Sequence, residues 1–196
     1  MRKLALALML LASPAAAVTL EIDVTGEAEG TIVIDLFEEV APLHVERIVT
    51  LAREGAYDDV VFHRVIDGFM AQTGDVEFGR IGQDMRYAGR GGSEYDDLPA
   101  EFSDLSFETG IVGMARAGDP ACGGVLDCQE RPEFLNSANS QFFIMFENAP
   151  RLDGQYTVVG QVIDGMEVVE AIKRGAGRNG AVIGQPDSIV AMRVIE

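Results

Sequence analysis

Arg64 and Gln72 are the polar side chains of this 196-residue sequence best placed to act together on a bound group. They lie in the run Val60 to Asp75, Val-Val-Phe-His-Arg-Val-Ile-Asp-Gly-Phe-Met-Ala-Gln-Thr-Gly-Asp, where Asp67-Gly68 between apolar-rich runs signals a β-hairpin. A two-residue loop would set Arg64 opposite Ala71, whereas a three-residue loop over Asp67 to Phe69 sets Arg64 opposite Gln72 and Ile66 opposite Met70. The second register gathers a guanidinium, a side-chain amide and apolar neighbours on one sheet face. A fixed cation beside an apolar surface is costly unless a ligand uses it; the plain alternative is a snorkelling arginine and an edge glutamine. The chain offers no Ser-His-Asp or Cys-His set, no paired acidic motif and no metal-ligand spacing, so neither covalent nor metal chemistry is indicated.

The stretch Phe62-His63-Arg64-Val65-Ile66-Asp67-Gly68-Phe69-Met70-Ala71-Gln72-Thr73-Gly74-Asp75 resembles the signature of the cyclophilin family of peptidyl-prolyl isomerases. Two further blocks match in order: Asn139-Ser140-Gln141-Phe142-Phe143-Ile144, then Leu152 to Gly160 continuing through Val162 to Val169. The resemblance covers nearly everything after residue 17. It implies a mainly β fold, a closed eight-stranded antiparallel barrel capped by two α-helices, and acceleration of rotation about X-Pro bonds in proline-containing polypeptides, without a cofactor. That rotation crosses a barrier of about 18–20 kcal/mol set by amide resonance. A catalyst must favour the twisted state, in which the imide nitrogen regains its lone pair and welcomes a donor. The family pattern places Arg64 there. Carried over residue by residue, Phe69, Met70, Phe143 and Leu152 form a pocket for the proline ring, and Gln72 and Gln141 bind the substrate backbone. Ala115, Arg116 and Ala117 offer an extended edge for the peptide main chain. The chain departs from the pattern in three places: a frequent asparagine is Arg116, a frequent tryptophan is Arg151, and a frequent histidine is Tyr156, which still supplies an aromatic wall.

These residues need strands to hold them. Val18 to Val24 alternates apolar and polar residues as a half-buried strand does, and the turn from Gly26 to Gly30 leads to a second strand, Thr31 to Phe37. Ala41-Pro42 opens a helix whose Val45, Ile48, Leu51 and Ala52 share a face, closed by Gly55. His44, in its first turns, reads as an exposed helix position. Gly89-Arg90-Gly91-Gly92 could cradle phosphate, but it follows no strand-like run and opens no helix. Further strands are expected at Gly110 to Ala117, Gln141 to Phe146, Thr157 to Ile163 and Ser188 to Ile195, with a second helix over Met166 to Lys173. Where the family passes quickly from the Ala115 region to the Gln141 block, this chain inserts Gly118 to Ala138, which must emerge beside the substrate groove.

Residues 1–17 read as an export signal: Arg2 and Lys3, the apolar run Leu4 to Leu11, then Ala15 and Ala17 spaced for cleavage after Ala17. The run is far short of the roughly 20 residues of a spanning helix, so a single mature domain, 18–196, without stable membrane insertion is expected, most simply a monomer in the periplasm. In that oxidising setting Cys122 and Cys128 should form a disulfide. The formal charge of −17, or −19 without Arg2 and Lys3, excludes nucleic acid as a partner because no basic stripe is available to phosphates. Two rivals to an isomerase remain at this level, a non-catalytic proline-peptide-binding chaperone on the same fold and an exported small-ligand barrel. Arg64 favours catalysis, because holding a proline needs the apolar pocket but not the cation.

Overall fold

A computed structural model describes residues 18–123 and 128–196. The expected export signal lies outside the described residues. Strands β1 (Thr19–Thr25) and β2 (Gly30–Leu36) form the first hairpin, and helix α1 (Pro42–Arg53) follows. The central hairpin is β3 (Arg64–Ile66) and β4 (Met70–Thr73); β5 (Ile111–Met114), the one-turn helix α2 (Pro132–Leu135), β6 (Phe142–Met145), β7 (Val158–Asp164), α3 (Met166–Ala171) and β8 (Ser188–Ile195) complete the chain. All eight strands belong to one antiparallel sheet in the order β3-β4-β6-β5-β7-β2-β1-β8.

The closed barrel expected from the resemblance is not what the ladder shows. The sheet is open between β3 and β8, which do not pair; only the segment before β3 touches the start of β8, through an isolated bridge, Val61 to Ser188, and a few flanking hydrogen bonds such as Phe62 N–H to the Asp187 carbonyl (2.9 Å). The physical reason is competition for the outer edge of β3. The segment before β8 takes that edge: Gly175 N–H donates to the Val65 carbonyl (2.8 Å), Val182 N–H to the His63 carbonyl (3.0 Å), and Ala181 bridges Arg64. Pro186, lacking an N–H, also cannot extend the β8 ladder backwards.

Side chains alternate across the sheet, and the two faces bury different things. Ala71, Val112, Phe142 and Ile144 point into the main core with Leu20, Ile22, Ile32 and Ile34, over which α1 lays its expected face of Val45, Ile48, Leu51 and Ala52. Met70, Phe143 and Met145 alternate with these and join Phe107, Ile111, Leu152 and Val158 in a second cluster on the opposite face. The site is built on that outer face.

His44 is a correction: it is fully buried, not exposed. Ala41 at the N-cap of α1 has no side chain able to cap, and the carboxylate of Glu101, 57 residues beyond His44, fills the role, accepting from the N–H groups of Leu43 (3.2 Å) and His44 (3.1 Å). The same carboxylate lies 2.6 Å from His44 Nδ1. The segment that brings Glu101 covers the ring, and its burial lowers the imidazole pKa against the pull of Glu101. The second expected helix ends at Ala171, shorter than its apolar pattern suggested.

Candidate active site

The hairpin adopts the three-residue loop, with Arg64 opposite Gln72 and Ile66 opposite Met70. Gly68 permits it by taking φ +65°, a conformation costly for any residue with a Cβ. Pairing then continues across the sheet: Gln72 lies opposite Phe143 on β6, and Phe143 opposite Gly113 on β5. Arg64, Gln72 and Phe143 therefore stand in one row on one face, fixed by register. Gly113 ends the row because nothing larger fits; a Cβ there would lie 2.6 Å from Phe143 Cζ and 2.7 Å from Phe107 Cε1.

The row encloses a cavity of about 140 Å³ lined by Arg64, Phe69, Met70, Gln72, Ala115, Arg116, Phe143, Leu152 and Tyr156. This suits a single small ring, being well below the roughly 300–1,000 Å³ of drug-sized clefts. Gln141 and Ala117, the remaining expected substrate-binding residues, line an adjoining cleft of about 580 Å³ that shares Gln72, Ala115 and Arg116. Every residue carried over from the resemblance thus lines one or other of these two neighbouring clefts. Among the described residues no cluster of three or more histidine, cysteine or acidic side chains could hold a metal.

A polar relay holds the floor. Arg64 Nη1 donates to Gln72 Oε1 (3.0 Å), Gln72 Nε2 to Gln141 Oε1 (2.9 Å), and Gln141 Nε2 to the Gly91 carbonyl (2.8 Å). Arg64 Nε donates to the Asn179 carbonyl (3.0 Å), which leaves Nη2 without an acceptor among the described residues. Burial lowers the Arg64 pKa from the ordinary guanidinium value, yet a group of that class stays charged at neutral pH. The apolar wall is aromatic: Phe143 stacks on Phe107 (5.8 Å between centroids), and Tyr156 meets Phe143 edge-on (5.7 Å). On the expected peptide edge, Ala115 N–H already donates to the Gln141 carbonyl (2.9 Å) and Ala117 N–H to Ser137 Oγ (2.9 Å). The Ala115 carbonyl and the Arg116 main chain are the parts of that edge still available among the described residues.

The insert does emerge beside this groove. Cys122 and Cys128 are joined by a disulfide with their Cα atoms 5.5 Å apart, and closing so short a loop stabilises by roughly 2 kcal/mol in the chain-entropy model. Arg131 pairs with buried Asp119 (2.8 Å) to hold the stem, and Glu130 forms an ion pair with Arg116. Arg116 lies with its guanidinium 4.5 Å from the Tyr156 ring centroid. Sequence reasoning did not find Phe107, Asn179 or Glu130. Phe107 stands in a polar stretch with no period, Asn179 contributes only its carbonyl, and Glu130 falls in the insert that the family pattern lacks.

Gly89, Arg90 and Gly91 do form an anion nest, filled from within. Their N–H groups converge on Asp75 Oδ2 (2.7, 3.1 and 3.1 Å) while Glu77 and Phe78 N–H donate to Oδ1 (3.1 and 2.8 Å). Asp75→Asn should cost about 2 kcal/mol of stability, since an amide turns an acceptor into a donor facing these N–H groups. A lowered urea midpoint with faster proteolytic cutting between residues 76 and 92 is the expected readout; an unchanged midpoint would show the nest to be incidental.

His63 lies under Gly89, whose Cβ, if present, would sit 3.0 Å from the ring. Neither ring nitrogen has a hydrogen-bond partner among the described residues, and burial pushes the imidazole pKa down to about 4 although nearby Asp75 opposes the shift. The unfolded chain takes up this proton below about 6.5, the folded protein only near 4. Stability from neutral His63 is thus fully present above pH 6.5 and lost as pH falls from there to about 4. In His63→Gln the drop in urea midpoint between pH 7 and 4.5 should shrink without vanishing, because buried His44 acts in the same direction. An identical drop in both proteins would refute the assignment.

Comparison with known proteins agrees with this geometry. A family profile described as cyclophilin type peptidyl-prolyl cis-trans isomerase/CLD matches residues 19–194. A probable peptidyl-prolyl cis-trans isomerase of Brucella suis is 50% identical over 164 residues, covering 83% of this chain and 76% of that protein. A peptidyl-prolyl cis-trans isomerase of Synechococcus elongatus is 36% identical over 149 residues, covering 75% and 85%. Among solved structures, a cyclophilin type peptidyl-prolyl cis-trans isomerase of Cryptosporidium parvum superposes with a TM-score of 0.71 at 25% identity, covering 92% of this chain and 99% of that one. The chain belongs to the cyclophilin family. It is accordingly a peptidyl-prolyl cis-trans isomerase.

Proposed function

We propose that this isomerase acts on exported polypeptides after its own export, most simply as a periplasmic monomer that shortens proline-limited steps in their folding. Unaided rotation takes roughly 10 to 100 s, so a millisecond turnover asks for about 5–6 kcal/mol of differential stabilisation. Arg64 is the catalytic residue in this reading. Its guanidinium, fixed by Gln72 and Asn179, keeps a donor for the imide nitrogen as that nitrogen becomes pyramidal. Phe69, Met70, Phe143 and Leu152 hold the ring, Tyr156 closes the wall, and Gln72, Gln141 and the Ala115–Ala117 edge hold the peptide backbone.

One observation carries the assignment of roles: the ring-sized cavity sets the half-buried, pre-oriented Arg64 guanidinium beside the side chains of Phe69, Met70, Phe143 and Leu152. The domain 18–196 should accelerate cis-to-trans conversion of short proline peptides. Binding without acceleration would replace this reading with the chaperone. Export is tested apart: protein recovered from cells should begin at Val18 and show its two thiols only after reduction. An N-terminus retaining Leu4 to Leu11 would overturn the export proposal alone.

A further inference from the structure

Three guanidiniums meet at one small cavity in a chain whose formal charge is −17. Arg64 and Arg116 line the cavity, and Arg151 lies over its Phe69 wall, 4.4 Å from the ring centroid. Two of the three are committed. Arg64 donates to Asn179 and Gln72. Arg116, its side chain 4% exposed, donates from Nε to the Gln155 carbonyl and from Nη1 to the Ala117 carbonyl and to Glu130, whose carboxylate also offsets its charge.

Arg151 is different. It sits in the short turn Pro150–Leu152, which buries Leu152 in the cavity wall and leaves Arg151 exposed at the rim. It hydrogen-bonds to nothing and ion-pairs with no carboxylate among the described residues. Of the nearby acids, Asp67 pairs with Arg174 (3.0 Å) and Asp153 accepts from Phe107 N–H (2.8 Å), while Glu147, whose carboxylate faces Gly68 at the hairpin turn, has no ion pair among the described residues, with Arg151 or any other cation. A guanidinium held over a ring by its charge spends no N–H bond on that contact, so its five donors remain a fork matched to a carboxylate.

We propose that Arg151 is a specificity-determining residue that reads a client carboxylate next to the proline, on the flank where the peptide leaves across Phe69 rather than along the Ala115–Ala117 edge. The favoured substrates are then proline segments flanked by aspartate or glutamate. The proposal rests on the isomerase reading of the same cavity. The negative charge of the whole chain does not oppose it, because at physiological ionic strength charges beyond about 8 Å are screened and the guanidinium within reach decides the contact.

The test compares peptides carrying Glu, Ala or Lys on one flank of the proline at a time, at physiological ionic strength, for both turnover and binding. With the wild-type protein, kcat/KM for the Glu peptide should exceed that for the Lys peptide about fivefold on one flank, as expected for one exposed ion pair, and the ratio should fall at high salt. Arg151→Ala should bring the ratio near one, and Arg151→Glu should invert it. Equal Glu and Lys values on both flanks, or a preference that persists in Arg151→Ala, would overturn the proposal. Failure of the isomerase reading looks different: no peptide is turned over whatever its flank. The binding titrations would then still decide Arg151 by the same ratios.

Discussion

Arg64→Ala lowers kcat/KM for a proline peptide about a hundredfold while the urea midpoint stays within reach of the wild type. The reasoning runs from its contacts. Arg64 reaches Gln72 and Asn179, but neither partner depends on it for its place: Gln72 keeps its bond to Gln141 and its row position on β4, and Asn179 contributes only a main-chain carbonyl. What is lost is a donor aimed at a nitrogen that becomes basic only on twisting. Removing one such transition-state donor costs about 3 kcal/mol, or a hundredfold. The loss should fall on kcat more than on KM, since the planar ground-state imide has little lone pair to offer. Lysine should restore only part of the rate, because a point charge lacks the fork that meets Gln72 and Asn179 together. Full activity of Arg64→Ala in a protease-free isomerisation assay would end this mechanism while leaving the fold and family untouched.

Phe143→Ala should affect everything at once. The ring is 5% exposed, stacks on Phe107, receives the edge of Tyr156, and fills the space that Gly113 leaves open. Truncating a buried phenylalanine costs about 3–5 kcal/mol of stability, and removing this part of the aromatic wall forfeits roughly 2 kcal/mol of contact with the proline ring, or about thirtyfold in kcat/KM. Because the ring is held in ground and transition states alike, the second loss should appear mainly in KM or in peptide binding. The contrast with Arg64→Ala is the useful part. A Phe143→Ala protein that folds stably and binds peptide normally would show that the proline ring sits elsewhere.

Much of this site was legible in the sequence because register propagates. Once Asp67-Gly68 and the grouping of Arg64 with Gln72 choose a three-residue loop, period-two alternation carries Met70 and Gln72 to one face. The apolar run Phe142 to Met145 must then be buried on both faces. What stayed hidden depends on distant partners. His44 looked exposed because the covering carboxylate, Glu101, lies in a stretch without periodicity. The open sheet was also invisible, since nothing local in Gly175 to Val182 says that its main chain will take the edge of β3. Glu130 was out of reach for another reason: the insert has no counterpart in the pattern that located the rest of the groove.

The occupied edge of β3 matters for the company this enzyme keeps. A folding catalyst works among partly unfolded chains, whose own strand-prone segments search for unpaired N–H and C=O groups, and a bare three-residue edge starting at Arg64 would recruit them as extra strands. The Val65 and His63 carbonyls are already satisfied by Gly175 and Val182. An unfolded chain that meets this edge therefore has no open strand there to pair with.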